Sequence, residues 1–197
     1  EIESIIADSI QVAHRAQRSG FRPDGDNTLW VGTHFHNDAD CGVANTLVAV
    51  KAGAGLVQGS VNGIGERCGN ADLLSIVASL ALKMNDKCVS LSQLEGLTSL
   101  SHFVSEILNV SPNPYQPYVG SSAFAHKGGI HASGIERMSG SYEHVDPSLV
   151  GNFAKIVVSE LAGRASLKLR AEELGFAFAD ADAQKALEAV KNLEHKG

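Results

Sequence analysis

The sequence predicts an α/β fold of consecutive βα units on a parallel sheet, followed by a mainly helical region. Three observations lead there. Strand-like Thr28-Leu29-Trp30-Val31 runs into Gly32-Thr33-His34-Phe35-His36-Asn37-Asp38, and Cys41 to Ala52 then reads as a helix with Val43, Leu47 and Val50 on one face. The order repeats at once: Leu56 to Val61 reads as a second short strand and Ala71 to about Met84 as a long helix, with the glycine-rich stretch Asn62 to Asn70 between them. From Ser90 onward the apolar spacing turns helical and no further βα unit follows.

Taken in order, Ile2, Ile5, Ile6, Ile10 and Ala13 recur at helical spacing through Ala16, and Ser19 to Asp26 is polar and turn-rich. The chain opens on Glu1 already in helical rhythm and without an initiator methionine, so it is expected to be a piece of a longer protein. After the two βα units, Leu94, Leu97, Leu100, Val104, Ile107 and Leu108 mark an amphipathic helix. Ser111 to Tyr118 carries Pro112, Pro114 and Pro117, which disfavour helix at each preceding residue and predict a stiff extended linker. Two more helical stretches are expected near Ala165 to Leu174 and Asp182 to Glu194. The expected organisation is an α/β part over residues 1–87, a helical subdomain and proline-rich linker over 88–120, and a second mainly helical subdomain over 121–197.

Composition excludes several function classes. At 44% apolar and 19% charged residues the chain can bury a core, and its net charge of −6 comes with scattered Lys and Arg, with no basic stripe for nucleic acid or for a membrane surface. Small-molecule chemistry is favoured. Cys41, Cys68 and Cys88 form neither an even-numbered framework nor a paired metal spacing, so free thiols in a reducing cytoplasm are expected.

The residues that carry chemistry cluster after the first strand. Side chains alternate faces along an extended strand, so His34 and His36 project the same way, a spacing that suits two imidazoles on one divalent ion. They sit at the carboxyl end of a strand, where a βα unit presents its functional side chains. Asn70 closes the glycine-rich loop after the second strand, and because loops after neighbouring parallel strands converge on one mouth, its amide oxygen could join the two histidines. The spacing of Gly63, Gly65 and Gly69 matches neither dinucleotide-binding nor phosphate-loop signatures. Glu66 and Arg67 are expected to pair with each other and hold that loop in shape, at substrate-binding rather than catalytic positions. His126 and His131 lie in a glycine-broken segment suited to a loop, where one of them could be a general acid or base. Tyr142 offers a phenol that can donate to a developing oxyanion. His14, His102 and His195 fall on expected helices and read as surface or structural.

Three ordered segments, His34 to Asp38, Asn62 to Leu73 and Ala123 to Gly134, together resemble the α-isopropylmalate synthase, homocitrate synthase and citramalate synthase family. These are metal-dependent, Claisen-type acyltransferases on a (β/α)8 TIM barrel. Ala125 to His131, Tyr142 to Pro147 and Val158 to Arg164 are most similar to the citramalate synthase branch. The resemblance implies that the two strands are the last two of the barrel, with His34 and His36 as metal ligands on strand seven and Asn70 a ligand or neighbour after strand eight. It implies His131 as catalytic acid/base with Tyr142 assisting. It implies Mg²⁺, Mn²⁺ or Zn²⁺ as the ion, acetyl-CoA as co-substrate and a 2-oxo acid such as pyruvate as acceptor, in branched-chain amino-acid biosynthesis. It implies a homodimer, and composition adds the expectation of a cytoplasmic protein without nucleic-acid or membrane partners.

The family's first-strand Arg-Asp motif and its middle-strand glutamate do not appear in the sequence, nor does its carboxyl-terminal effector-binding domain. The chain by itself is therefore expected to be inactive. Two other readings compete: an amidohydrolase-type metal hydrolase, which also uses His-x-His but on the first barrel strand, and a non-catalytic binding or assembly module.

Overall fold

The computed structural model describes residues 31–126, 143–156 and 180–196, with residues 4, 7, 8, 11, 167, 171, 175 and 176 besides. The chain divides into two compact units, Glu1–Pro112 and Asn113–Gly197. The expected opening helix, and the one near Ala165 to Leu174, lie almost wholly outside the described residues.

The first unit is built on a βα pair. Strand β1 (Gly32–His34) runs parallel to β2 (Leu56–Gln58) in the register Gly32 to Leu56, Thr33 to Val57 and His34 to Gln58, with helix α1 (Gly42–Lys51) as the crossover. Helix α2 (Leu73–Lys83) follows β2. Ala71, Ile76 and Leu80 pack with Phe35, Val43, Leu47, Val50 and Val57, so the core lies between the helices and the side of β1 that carries Phe35. An apolar groove of about 440 Å³, lined in part by Val50, Val57, Ile76 and Leu80, reaches Asp86 and Cys88.

Both helices begin where the sequence supplies acceptors for their free amides. Asn37 Oδ1 accepts from Gly42 N at 3.0 Å at the start of α1, and Asp72 accepts from Leu74 N and Ser75 N at 3.2 and 3.3 Å at the start of α2. Helix α2 therefore begins at Leu73, after its cap, rather than at Ala71. The helix expected around Leu94 to Leu108 is two elements, α3 (Leu91–Leu94), closed by a Ser90–Gln93 capping box, and α4 (Leu97–Ile107), with Gly96 at the joint.

The strands are shorter than expected, for a shared reason. Thr28 to Trp30 lie outside the described residues, and β1 ends at His34 because the chain turns from β2 to the glycine loop: Phe35 O accepts from Ala71 N and Gly69 O accepts from Asn37 N, both at 2.9 Å. Strand β2 ends at Gln58, not Val61. Ser60 N donates to Ala71 O and Ser60 O accepts from Leu73 N, after which Val61–Gly63 forms a 3-10 turn with Asn62 in the left-handed region at φ 61°. These pairings fold the glycine loop back onto its own strand ends.

The second unit was expected to be mainly helical, and among its described residues helix α5 (Asp180–Lys196) fits that. It also holds an unexpected parallel pair, β3 (Ala125–His126) with β4 (Lys155–Ile156). Asn152 Nδ2 donates to Tyr118 O and Gly120 O at 2.9 and 3.0 Å, and Val119, Phe124 and Val150 are buried in this unit. No described helix is long and apolar enough to cross a membrane.

Candidate functional site

The His34 and His36 rings stand on the same side of the chain, edge to face, with centroids 5.2 Å apart. Both side chains are exposed, while Thr33 between strand partners is buried and Phe35 packs into the core. That alternation is the pleat of an extended segment. Asn70 is brought directly opposite: His36 and Asn70 form an antiparallel bridge, flanked by the Asn37–Gly69 and Ala71–Phe35 backbone bonds.

The amide of Asn70 is oriented by its own loop. Its Nδ2 donates to Ile64 O at 3.1 Å, whereas its Oδ1 is buried without a hydrogen-bond partner. A buried carbonyl oxygen left unpaired is costly and calls for an electropositive partner. Two glycines make the arrangement possible. Gly69 has φ +89° and would drive a Cβ into Gly63 O, and a Cβ on Gly65 would lie 2.6 Å from Asn70 Nδ2.

These groups suit a divalent cation. A metal–nitrogen distance of about 2.1 Å puts each imidazole centroid about 3.2 Å from an ion, so two ligands at 90–109° have centroids roughly 4.5–5.2 Å apart. The observed separation falls at the upper end of that window. Two imidazoles and an amide oxygen form a mixed N/O set that accommodates Mg²⁺, Mn²⁺ or Zn²⁺. Among the described residues no three His, Cys, Asp or Glu side chains stand together.

Residues 13–104 match the HMGL-like family and residues 118–197 the homocitrate synthase post-HMGL domain-like family. The chain is 49% identical to the (R)-citramalate synthase of Geobacter sulfurreducens over 172 residues, which is 86% of this chain and 33% of the relative. It is 44% identical to that of a Synechocystis species over 190 residues, 95% of this chain and 35% of the relative. This chain belongs to the citramalate, 2-isopropylmalate and homocitrate synthase family. A probable 2-isopropylmalate synthase of Methanopyrus kandleri is 40% identical over 167 residues, 85% of this chain and 33% of the relative. The chain spans about a third of the length of these relatives.

In this family member the glycine loop joins His34, His36 and Asn70 in one place and carries Glu66 and Arg67 on its exposed outer turn. The expected Glu66–Arg67 pair is present, but it is the lesser of two. Arg67 Nη1 is 3.5 Å from Glu66 Oε2, but its main partner is Asp38, through Nε at 2.6 Å and Nη2 at 2.9 Å. Those hydrogen bonds hold the Asp38 carboxyl below the usual carboxylate range and push the Arg67 guanidinium up. The Arg67 backbone is left-handed there, at φ 56°.

His131 and Tyr142 lie outside the described residues. His126 is in β3, and His102 and His195 are exposed on α4 and α5. Sequence reasoning missed three residues that shape the site. Asn37 caps α1, Asp38 ties down Arg67, and Asn62 pins the loop to α4 through Ser101 O, Ser101 Oγ and Ser105 Oγ at 2.9, 2.7 and 3.1 Å. Asn37 and Asp38 adjoin His36 in one polar run, a signal that was present; Asn62 gave none, because its partners are 39 and 43 residues away.

Proposed function

We propose that the protein carrying this chain is an acyltransferase that joins acetyl-CoA to a 2-oxo acid in a metal-dependent Claisen-type condensation, with pyruvate the favoured acceptor. The product would then be citramalate, or 2-isopropylmalate were 2-oxoisovalerate used, either one serving branched-chain amino-acid biosynthesis. The observation that carries the reading is the unpartnered Asn70 oxygen, on the residue bridged to His36, together with the neighbouring His34 and His36 rings. Relatives named (R)-citramalate synthase at 44–50% identity, against 37–40% for those named 2-isopropylmalate synthase, support pyruvate.

In this reading β1 and β2 are strands seven and eight of a (β/α)8 barrel, residues 1–87 belong to the barrel, and residues 88–120 and 121–197 follow as two subdomains of a cytoplasmic homodimer. His34, His36 and Asn70 hold the ion, the histidines through neutral ring nitrogens. A bound divalent ion supplies polarisation of the oxo-acid carbonyl. With Nδ2 committed to Ile64 O, the amide oxygen is the Asn70 atom left for the ion. Glu66 and Arg67 flank the substrate from the loop. His131 moves protons as acid/base, and Tyr142 donates to oxygen that gains negative charge. The acetyl methyl group loses a proton, its carbon bonds to the oxo-acid carbonyl carbon, the former carbonyl oxygen takes a proton, and water cleaves the thioester to free CoA.

The test is thiol release from acetyl-CoA by the full-length protein, with Mn²⁺ or Mg²⁺ and either pyruvate or 2-oxoisovalerate, and product identification by mass spectrometry. Faster release with pyruvate, abolished by chelation, is expected. Release that ignores both oxo acids overturns the reading.

A further inference from the structure

The fork between Asp38 and Arg67 joins the two segments that bear the candidate metal ligands. Asp38 is two residues beyond His36 and Arg67 three before Asn70, and the bond between them is bidentate, 2.6 and 2.9 Å. We propose that Asp38 and Arg67 are positioning residues that hold the glycine loop against the histidine segment, so that the Asn70 oxygen stays in register with His34 and His36. The proposal rests on the metal reading above.

Three features of the molecule support it. Residues 64–68 are all exposed, so burial does little to fix the outer turn of the loop and polar tethers must set its shape. Backbone bonds tie the closing side of the loop to the histidine segment, through Asn37–Gly69 and Ala71–Phe35 at 2.9 Å, while Asn70–Gly63 and Gly69–Glu66 at 3.0 and 2.9 Å close the loop on itself. The Asp38–Arg67 fork ties the other side and closes a small ring of covalent and hydrogen-bonded links around the His36–Asn70 bridge. Finally, Arg67 is held left-handed at φ 56°, a backbone state that a non-glycine residue keeps only where its surroundings impose it. The two side chains are 47% and 55% exposed, so solvent screens the pair and its effect falls on geometry more than on overall stability.

A Mn²⁺ titration of the full-length protein separates these roles. Asp38→Asn keeps the shape of the carboxylate without its charge, and Arg67→Asn keeps a residue that tolerates left-handed backbone without the fork. Each is expected to weaken Mn²⁺ binding about tenfold, the low end for groups that orient a ligand, while the melting temperature of the metal-free protein stays within about 2 °C. Because Arg67 acts through Asn70, the double variant Arg67→Asn/Asn70→Ala is expected to bind no more weakly than Asn70→Ala alone. Unchanged affinity in both single variants, losses that add in the double variant, or a large drop in the metal-free melting temperature overturns the proposal. Unchanged affinity in His34→Ala and Asn70→Ala instead brings down the metal reading, and this proposal with it.

Discussion

Replacing Asn62 with alanine tests how the glycine loop is anchored. Its side chain makes three hydrogen bonds to α4, and the partners Ser101 and Ser105 are only 2% and 3% exposed, so water does not readily replace what the amide gives. At about 1 kcal/mol net for each bond the loss is about 3 kcal/mol. Asn62 also sits at φ 61°, where alanine costs roughly 1–2 kcal/mol more. Asn62→Ala should therefore destabilise this anchor by about 4 kcal/mol, and Asn62→Gly by about 1 kcal/mol less because glycine accepts that backbone. Hydrogen–deuterium exchange of peptides covering residues 60–70 and 97–107 in the full-length protein reads this directly, since 4 kcal/mol speeds opening-limited exchange roughly a thousandfold. Exchange in α4 unchanged to within a few-fold for Asn62→Ala would refute the reasoning, as would an Asn62→Gly variant no slower than Asn62→Ala.

The remaining predictions concern the helix cap and a thiol. Asp72→Ala removes acceptors for Leu74 N, Ser75 N and Ser75 Oγ and should cost α2 about 1–2 kcal/mol, with Asp72→Asn costing less, as read by exchange over residues 73–83. Partial burial, with a smaller contribution from the Asp86 charge, pushes the Cys88 thiol up. Its reactive thiolate is therefore scarcer at a given pH, and its iodoacetamide rate should reach half-maximum at higher pH than that of a cysteine in an unstructured, uncharged peptide. Asp86→Asn should move that midpoint down; a midpoint at or below the peptide thiol's contradicts the assignment.

What was legible in the sequence came from short-range rules. Period-two alternation put His34 and His36 on one side of the strand through local backbone geometry alone, and the order of consecutive βα units brought Asn70 opposite His36. The strand ends were not legible. Phe35 and Ser60 exchange backbone bonds with Ala71 and Leu73, and these pairings depend on how the loop returns rather than on side-chain pattern. The Asp38–Arg67 fork spans 29 residues and needs Arg67 left-handed, which no composition rule predicts for arginine. The Asn62–Ser101 pin spans 39 residues and uses a polar side chain on a helix recognised by its apolar residues alone. Strands β3 and β4, two residues each, are too short to show alternation at all.

The central claim is that two imidazoles of this chain bind one divalent ion beside the Asn70 amide. Pulsed electron paramagnetic resonance of the full-length protein loaded with Mn²⁺ should show ¹⁴N modulation from two imidazoles, reduced to one in His34→Ala and in His36→Ala. A bound Mn²⁺ without ¹⁴N modulation, or a signal unchanged by both substitutions, contradicts it.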